Sequence, residues 1–217
     1  MHVIKRFISI LFILSLYSNI TICQERKDLG IQAGGSYYMG DYNQGVPLYQ
    51  ASPSVGLVYR YNINKYYSFR LSAGYGGLKG NYTSQTQYLP GVTGSFSKQV
   101  FDLEGLCEIN FMSFSTRHYK KENFSPYVIL GFGGAYISGT IIPKLPFGIG
   151  VKYCPVSRLT IGIEWRFNKT FDDNIDNYKN VFDGSKAMFH NNDWFSFMGL
   201  IVTYRLYNNK YTCPAYQ

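Results

Sequence analysis

The sequence predicts an all-β fold, an eight-stranded antiparallel transmembrane barrel of the outer-membrane type, from composition and from hydrophobic pattern. Aromatic residues make up 18% of the 217 residues and charged residues only 16%, against about 25% charge in ordinary soluble domains. Eight segments alternate between apolar and small or polar residues, which is the pattern of a strand with two different faces. Abundant aromatic residues and low charge argue against disorder, and no long helical period competes with the alternation.

Residues 1–23 have the features of a secretory signal peptide, so the mature barrel is predicted to occupy 24–217. A positively charged start leads into the apolar run 7–17, which is too short to cross the ~30 Å hydrocarbon core of a bilayer as a helix. We expect cleavage after Cys23. The alternative is a lipoprotein acylated at Cys23, but Ile22 is bulkier than the residue that usually precedes such a cysteine.

The first four predicted strands alternate cleanly. Segment 29–39 sets Leu, Ile and Ala against Gly, Gln and Ser, and 55–63 sets Val, Leu and Tyr against Gly, Arg and Asn. In 67–76 the odd positions are Tyr, Phe, Leu, Ala and Tyr, and the even positions are Ser, Arg and Gly. In 101–111 Phe, Leu, Cys and Ile alternate with Asp and Glu. We expect the apolar positions to face lipid and the others to face the lumen.

The last four predicted strands are less uniform. Segments 147–153 and 159–168 alternate as the first four do, with Phe, Ile, Val, Tyr and Trp on one face and Gly, Lys, Thr, Glu and Arg on the other. Segments 126–137 and 194–206 are apolar on both faces, and their length and glycine content favour strands. The total of eight strands is even, so both chain ends are expected on the same side of the membrane.

The connections between these segments alternate in length. Short turns are expected at 62–65, 117–123 and 155–158, and longer links at 40–53, 78–98, 138–145 and 168–193. Short periplasmic turns and longer extracellular loops are typical of outer-membrane barrels. The pattern therefore places the termini and the short turns in the periplasm.

The face opposite the apolar one suits the narrow interior of an eight-stranded barrel, which side chains fill. It is rich in Gly and Ser, and its charges are nearly balanced. Aromatic residues near the strand ends suit the two interfacial girdles. A secreted lipocalin-like barrel is the alternative. The predicted lumen network consists of Arg60, Arg70, Asp102, Glu104, Glu108, Lys152, Glu164, Arg166 and Arg205, and it is expected to block the passage of solutes.

The sequence offers little for catalysis or for binding a cofactor. Segment 172–183 has acidic residues at calcium-loop spacing, but Asn177 replaces the required glycine and Asp183 the bidentate glutamate, so a solvated acidic loop is favoured. His190 and Asp193 are a weak candidate for acid–base chemistry. The mature charge is modest and scattered. We therefore expect no enzyme activity, no cofactor or metal, no small-molecule substrate and no nucleic-acid partner.

Three cysteines remain after the predicted cleavage, and an odd number gives no complete disulfide framework. They are Cys107, Cys154 and Cys213. Whether Cys213 pairs with one of the other two or with another chain is left open.

Six runs, in order over nearly the whole mature chain, carry a family resemblance. The sequence resembles the PorG-like outer-membrane proteins of type IX secretion in Bacteroidetes. It departs from them at 138–144, where the family usually has a much longer loop, and after Thr170, where the acidic motif is looser. The runs are GGSYYMGD (34–41), YRYNIN (59–64), FSPYVILGFGGAYI (124–137), LPFGIGVKY (145–153), IEWRFNKTFDDNIDN (163–177) and NDWFSFMGLIVTYRL (192–206).

The resemblance implies a barrel in the outer membrane of a Gram-negative bacterium that is an integral component of type IX protein secretion. Such a barrel is a structural, anchoring part of the machinery. Its implied partners are the lipid bilayer and the periplasmic ring of PorK-like lipoprotein and PorN-like protein. The alternative function is a stand-alone, adhesin-like barrel that binds surfaces through its extracellular loops, and a barrel enzyme is a third.

A ring in the periplasm could be reached only by the short turns and by the tail 207–217. This rim is rich in lysine and arginine, which would steer it toward an acidic partner surface. Its tyrosines are of the type enriched at binding hot spots. The candidate partner face consists of Lys65, Lys120, Lys121, Arg158, Tyr211 and Tyr216.

Overall fold

The computed structural model describes residues 27–39, 48, 50–82, 94–116, 122–171 and 194–206. Each strand pairs antiparallel with the next, and the last pairs with the first, so the sheet is a closed eight-stranded barrel. The predicted fold class is therefore confirmed. The strands are β1 (Lys27–Met39), β2 (Ser52–Asn62), β3 (Tyr67–Tyr82), β4 (Gly94–Asn110), β5 (Phe124–Ile137), β6 (Thr140–Val156), β7 (Leu159–Thr170) and β8 (Trp194–Arg205).

Several predictions fall on residues outside these ranges. They concern the signal peptide 1–23, the acidic loop 172–183, His190, Asp193 and the tail 207–217. Among the described residues, no helix is long and apolar enough to cross a membrane.

The two faces of the strands are as predicted. On β3, Phe69 is 51% exposed and the next residue, Arg70, is fully buried. On β7, Ile163 is 50% exposed and Glu164 is fully buried. The odd-numbered residues of these strands point outward and the even-numbered ones point into the lumen, because successive side chains of a strand lie on opposite faces.

The two ends of the barrel differ in their connections. We call the end where β1 begins and β8 ends the turn end, and the opposite end the loop end. The links β2–β3, β4–β5 and β6–β7 lie at the turn end. The other four links lie at the loop end.

The long link predicted at 138–145 is wrong. β5 and β6 are joined by a tight turn at Ser138 and Gly139, whose φ angles of 50° and 90° are typical of a two-residue hairpin. Pro143 lies within β6, where its carbonyl accepts a hydrogen bond from the Phe171 N–H at 3.1 Å, just past the end of β7. Pro143 lies just beyond the first β6–β7 pair, Lys144 with Thr170, so its missing N–H falls at the end of that ladder.

Candidate functional site

The lumen at the turn end is held by ion pairs that link β1 to its neighbours. Arg205 Nε donates to Asp28 Oδ1 at 2.7 Å, across the β1–β8 pairing that closes the barrel. Asp28 Oδ2 lies 3.8 Å from Arg60 Nη1. Arg60 Nε in turn donates to Glu108 Oε2 at 3.1 Å. The chain of charges therefore runs from the closing seam to β4.

Glu108 and Glu164 occupy the middle of the lumen. Glu108 forms an ion pair with Lys152, and its Oε2 lies 3.6 Å from Arg70 Nη1. Arg70 Nη2 donates to Glu164 Oε2 at 2.7 Å, and the Tyr127 hydroxyl donates to the same oxygen at 2.8 Å. The two buried carboxylates thus pair with cations from four strands, β2, β3, β6 and β7.

Toward the loop end the same chain of ion pairs continues. Arg166 Nε lies 3.3 Å from Glu164 Oε1, and Arg166 also forms an ion pair with Glu104. Lys144 Nζ lies 2.8 Å from Glu104 Oε2 and 2.8 Å from Asp102 Oδ2. We call this whole chain of ion pairs the charge ladder. Its members are Asp28, Arg60, Arg70, Asp102, Glu104, Glu108, Lys144, Lys152, Glu164, Arg166 and Arg205.

The structure places all nine residues of the predicted lumen network in the charge ladder, and it adds two that the sequence analysis missed. Asp28 precedes the first predicted strand, and Lys144 lies in the segment interpreted as a link. Asp28 lies two residues before the inward-facing Gly30, and Lys144 lies four residues before the inward-facing Gly148. Both side chains therefore fall on the lumen face of their strands. Extending each alternation by one or two periods would have found them.

Above the charge ladder, at the loop end, the lumen is filled by apolar side chains, which we call the apolar plug. Each of them is at most 5% exposed, and none belonged to the predicted lumen network of charges, glycine and serine. Several occupy segments that are apolar on both faces, so alternation alone could not assign them. The apolar plug consists of Tyr38, Leu78, Val100, Ala135, Ile137, Ile142 and Phe195.

Little space is left between the charge ladder and the apolar plug. A cavity of about 20 Å³ lies there, lined by Gln32, Asp102, Arg166, Asn168 and Phe195 among others. That volume suffices for about one water molecule. The described lumen therefore contains no room for a substrate or a cofactor, and no group of three metal-ligating side chains occurs among the described residues.

Glycine at inward positions makes room for the long side chains that cross the lumen. A Cβ built on Gly150 would lie 2.5 Å from Tyr127 Cζ. A Cβ on the outward-facing Gly134 would meet nothing nearer than Ile141 Cγ2 at 3.6 Å. The position of Tyr127 thus requires glycine at 150, whereas position 134 has room for a side chain.

At the turn end, backbone hydrogen bonds tie three turns together. Asn110 N–H donates to Tyr66 O at 2.7 Å, and Phe114 N–H donates to Lys65 O at 3.3 Å. Arg158 N–H donates to Thr116 O at 3.1 Å. We call these connected turns, residues 63–66, 111–116 and 157–158, the turn-end platform.

The turn-end platform also covers the lumen at the turn end. The Phe114 side chain is 7% exposed, and Lys152 Nζ lies 4.7 Å from the centre of its ring. A lysine of the charge ladder is therefore capped by an aromatic face, an attractive cation–π arrangement.

The candidate partner face is only partly within the described residues. Lys65 and Arg158 both lie on the turn-end platform. Lys65 is half exposed, and its Nζ lies 2.9 Å from Glu122 Oε2, so one predicted cation of this rim already has an acidic partner. The remaining predicted residues, Lys120, Lys121, Tyr211 and Tyr216, lie outside the described residues.

The outer wall of the barrel is apolar and exposed. Leu57 is 63% exposed, Ile31 and Leu130 are each 58% exposed, and Ile149 is 57% exposed. A continuous surface of this kind is unsuited to water and matches the lipid-facing band of membrane barrels. Aromatic residues near the strand ends were predicted for the girdles, but one of them, Tyr37 of β1, is instead fully buried.

The hydroxyl of the buried Tyr37 takes part in a polar contact between three strands. Trp165 Nε1 donates to the Tyr37 hydroxyl at 2.8 Å and to Ser196 Oγ at 3.0 Å. The indole of β7 thereby reaches across β8 to β1. The contact fastens the loop-end side of the closing seam, as Arg205 and Asp28 fasten the other side.

Comparison with known proteins identifies the family. A family model described as "Domain of unknown function (DUF6089)" matches residues 5–215, and the chain belongs to this family. No curated protein matches the chain in sequence.

Solved structures show which fold the chain shares. Neisserial surface protein A is 13% identical, with a TM-score of 0.50 over 83% of this chain and 97% of that one. The attachment invasion locus protein Ail of Yersinia pestis, in complex with a heparin analogue, is 14% identical, with a TM-score of 0.47 over 84% of this chain and all of that one. The outer-membrane protein OprG of Pseudomonas aeruginosa is 12% identical, with a TM-score of 0.47 over 85% of this chain and all of that one.

At these identities the likeness shows the fold alone. That fold is the eight-stranded barrel of Gram-negative outer-membrane proteins, and the exposed apolar wall is consistent with it. The predicted fold class and outer-membrane location are confirmed.

Proposed function

We propose that this DUF6089 barrel is an integral outer-membrane part of type IX protein secretion, in which it anchors a periplasmic partner through its turn end. One observation carries the proposal. The interior is occupied from end to end by the turn-end platform, the charge ladder and the apolar plug, so the barrel is built to hold its shape and not to pass or bind a solute. Its outer wall faces lipid, so the two rims are the surfaces that remain for a protein partner.

The turn-end platform is the better suited of the two rims. Its turns are joined by backbone hydrogen bonds, so they present one fixed surface. Phe111 and Met112 on it are 65% and 52% exposed, and exposed apolar side chains next to charged ones are typical of protein interaction sites. The resemblance to PorG-like proteins supports the periplasmic ring of PorK-like and PorN-like proteins as the partner.

The proposal is tested by complementing a deletion strain and scoring both cargo secretion and ring proteins that co-purify with the tagged barrel. Met112→Glu, alone and with Lys65→Glu, should reduce ring recovery and secretion at least fivefold. Thr140→Glu, an acidic substitution at an exposed position of the loop end, is the matched control and should leave both unchanged. Membrane levels and heat-modifiable migration of each variant show that the barrel is folded.

The outcome that would contradict this function is full ring recovery and full secretion by the turn-end variants. Normal secretion in the deletion strain itself would also contradict it. In either case the barrel does not act in secretion through its turn end.

A second candidate function is a stand-alone, adhesin-like barrel that binds surfaces at the loop end. It is favoured by β3 and β4, which have 16 and 17 residues against 11 in β2 and 14 in β5, and which extend beyond these neighbours at the loop end. On this reading the deletion strain secretes normally but attaches poorly to host or matrix surfaces. Loop-end variants, and not turn-end variants, then reproduce the defect.

A further inference from the structure

Strands β3 and β4 run past both of their neighbours at the loop end. The pairing of β2 with β3 reaches only Ser54 and Gly76, and the pairing of β5 with β4 reaches only Val100 and Ile137. Beyond those points the two strands continue to pair with each other as far as Tyr82 and Gly94. We call this extension, residues 77–82 and 94–99, the β3–β4 arm.

An aromatic row lies at the base of the β3–β4 arm on the lipid-facing side. Tyr75 pairs with Phe101, and Phe101 pairs with Tyr136, so the three rings lie on adjacent strands at one level. They are 49%, 51% and 52% exposed. Such a row marks the boundary between acyl chains and headgroups. The outward side chains just beyond it are therefore at headgroup depth.

Those side chains are polar. Lys79, Ser95, Ser97 and Gln99 all point outward and are exposed. Lys79 stands directly opposite Ser97, and Gln99 stands opposite Gly77. One ammonium, two hydroxyls and one amide thus share a short, regularly paired stretch of sheet.

The charged residues on the outer wall of the described strands all carry a positive charge. The outward-facing positions of the eight described strands carry three charged residues, Lys27, Lys79 and Lys169, and no carboxylate. Lys27 lies at the turn end, and the other two lie at the loop end. An anion that approaches the β3–β4 arm within the membrane plane meets attraction and no neighbouring carboxylate on that wall.

We propose that the outward face of the β3–β4 arm binds the headgroup of a phosphorylated glycolipid of the outer leaflet. Lys79 pairs with the phosphate, while Ser95, Ser97 and Gln99 hydrogen-bond to sugar hydroxyls. The acyl chains lie against the apolar wall below Tyr75 and Phe101. A sugar suits the site better than a simple phosphate diester, because three of its four polar side chains are uncharged donors and acceptors. The inference rests on the orientation in the proposed function, with the loop end outside.

The test is native mass spectrometry of the purified full-length barrel in detergent, titrated with purified lipid A. We expect Lys79→Glu to weaken the affinity for lipid A at least tenfold and Ser97→Glu to weaken it at least threefold. Lys27→Glu, the same charge reversal on the same wall at the turn end, is the matched control and should change the affinity less than twofold. Thermal melting of each variant in the same detergent confirms that it is folded.

Two further lipids separate the sources of the anion. Dephosphorylated lipid A should bind at least tenfold more weakly than lipid A, and phosphatidylglycerol at least fivefold more weakly. Equal affinity of wild type and Lys79→Glu for lipid A would overturn the proposal, as would an equal loss in Lys27→Glu. Equal binding of phosphatidylglycerol would overturn the sugar-specific part.

These measurements use the barrel without any ring protein, so their failure leaves the secretion assay untouched. The shared premise of orientation is tested separately. A cysteine introduced by Ser138→Cys, in a variant with Cys107→Ser and Cys213→Ser, should react with a membrane-impermeant maleimide on intact cells. Lack of reaction there, with reaction after lysis, would overturn the outward orientation for both proposals.

Discussion

Glu108 shows how single inward residues determine the stability of this barrel. Its carboxylate is completely buried, and it is surrounded by the cations of Arg60, Arg70 and Lys152. Burying a charge is costly, and the cost is offset only while each partner is in place. The interior therefore tolerates no single unpaired member.

We expect Glu108→Gln, which keeps the shape but removes the charge, to destabilise the barrel by about 3–5 kcal/mol, the usual effect of breaking a buried pair. Urea unfolding of the barrel in lipid vesicles measures the change. The control is Glu122→Gln, whose partner Lys65 is half exposed, and its effect should stay below about 1 kcal/mol. Equal effects at the two positions would show that the charge ladder does not carry the stability.

At the scale of the strand, alternation predicts the structure well where one face is consistently apolar. β7 was expected at 159–168 and is found at Leu159–Thr170. β6 was expected at 147–153 and is found at Thr140–Val156. The difference arises because Pro143 and Pro146 look like loop residues in the sequence, although position 143 lies at the end of the β6–β7 ladder.

The charge ladder and the apolar plug were not equally predictable. A charge on an otherwise small, polar face is conspicuous, so the predicted lumen residues were found from the pattern alone. Apolar plug residues such as Ile137 and Ile142 are inward-facing but chemically like the lipid-facing ones. Only the register of the closed sheet distinguishes the two sets, and that register depends on pairings between distant segments.

The register of β7 gives a direct test of the outer wall. Ile163 faces outward near the middle of the strand, so Ile163→Arg should cost about 2–4 kcal/mol in a bilayer, the range for arginine at the midplane. Thr140→Arg, at the loop end, should cost about 0–1 kcal/mol because the interface is near. Folding titrations into vesicles compare the two. A cost of Ile163→Arg no larger than that of Thr140→Arg would contradict the outward position of Ile163.

For the whole molecule, three layers close the lumen in series. Phe114 of the turn-end platform covers one end, the charge ladder fills the middle, and the apolar plug covers the other end. An eight-stranded barrel is just wide enough for side chains to fill, whereas porins of 16 to 18 strands leave an aqueous channel. We expect each layer alone to interrupt a water column.

The barrel should therefore show no stable conductance steps in a planar lipid bilayer. Because the closures act in series, thinning one layer alone, as in Leu78→Gly with Ile142→Gly at the apolar plug, should also leave the membrane silent. A 16-stranded porin recorded in the same bilayer is the positive control, and protease protection of the inserted barrel shows that insertion occurred. Stable, large steps from the wild-type protein would show that the charge ladder moves aside, and the proposal of a shape-holding anchor would then lose its main support.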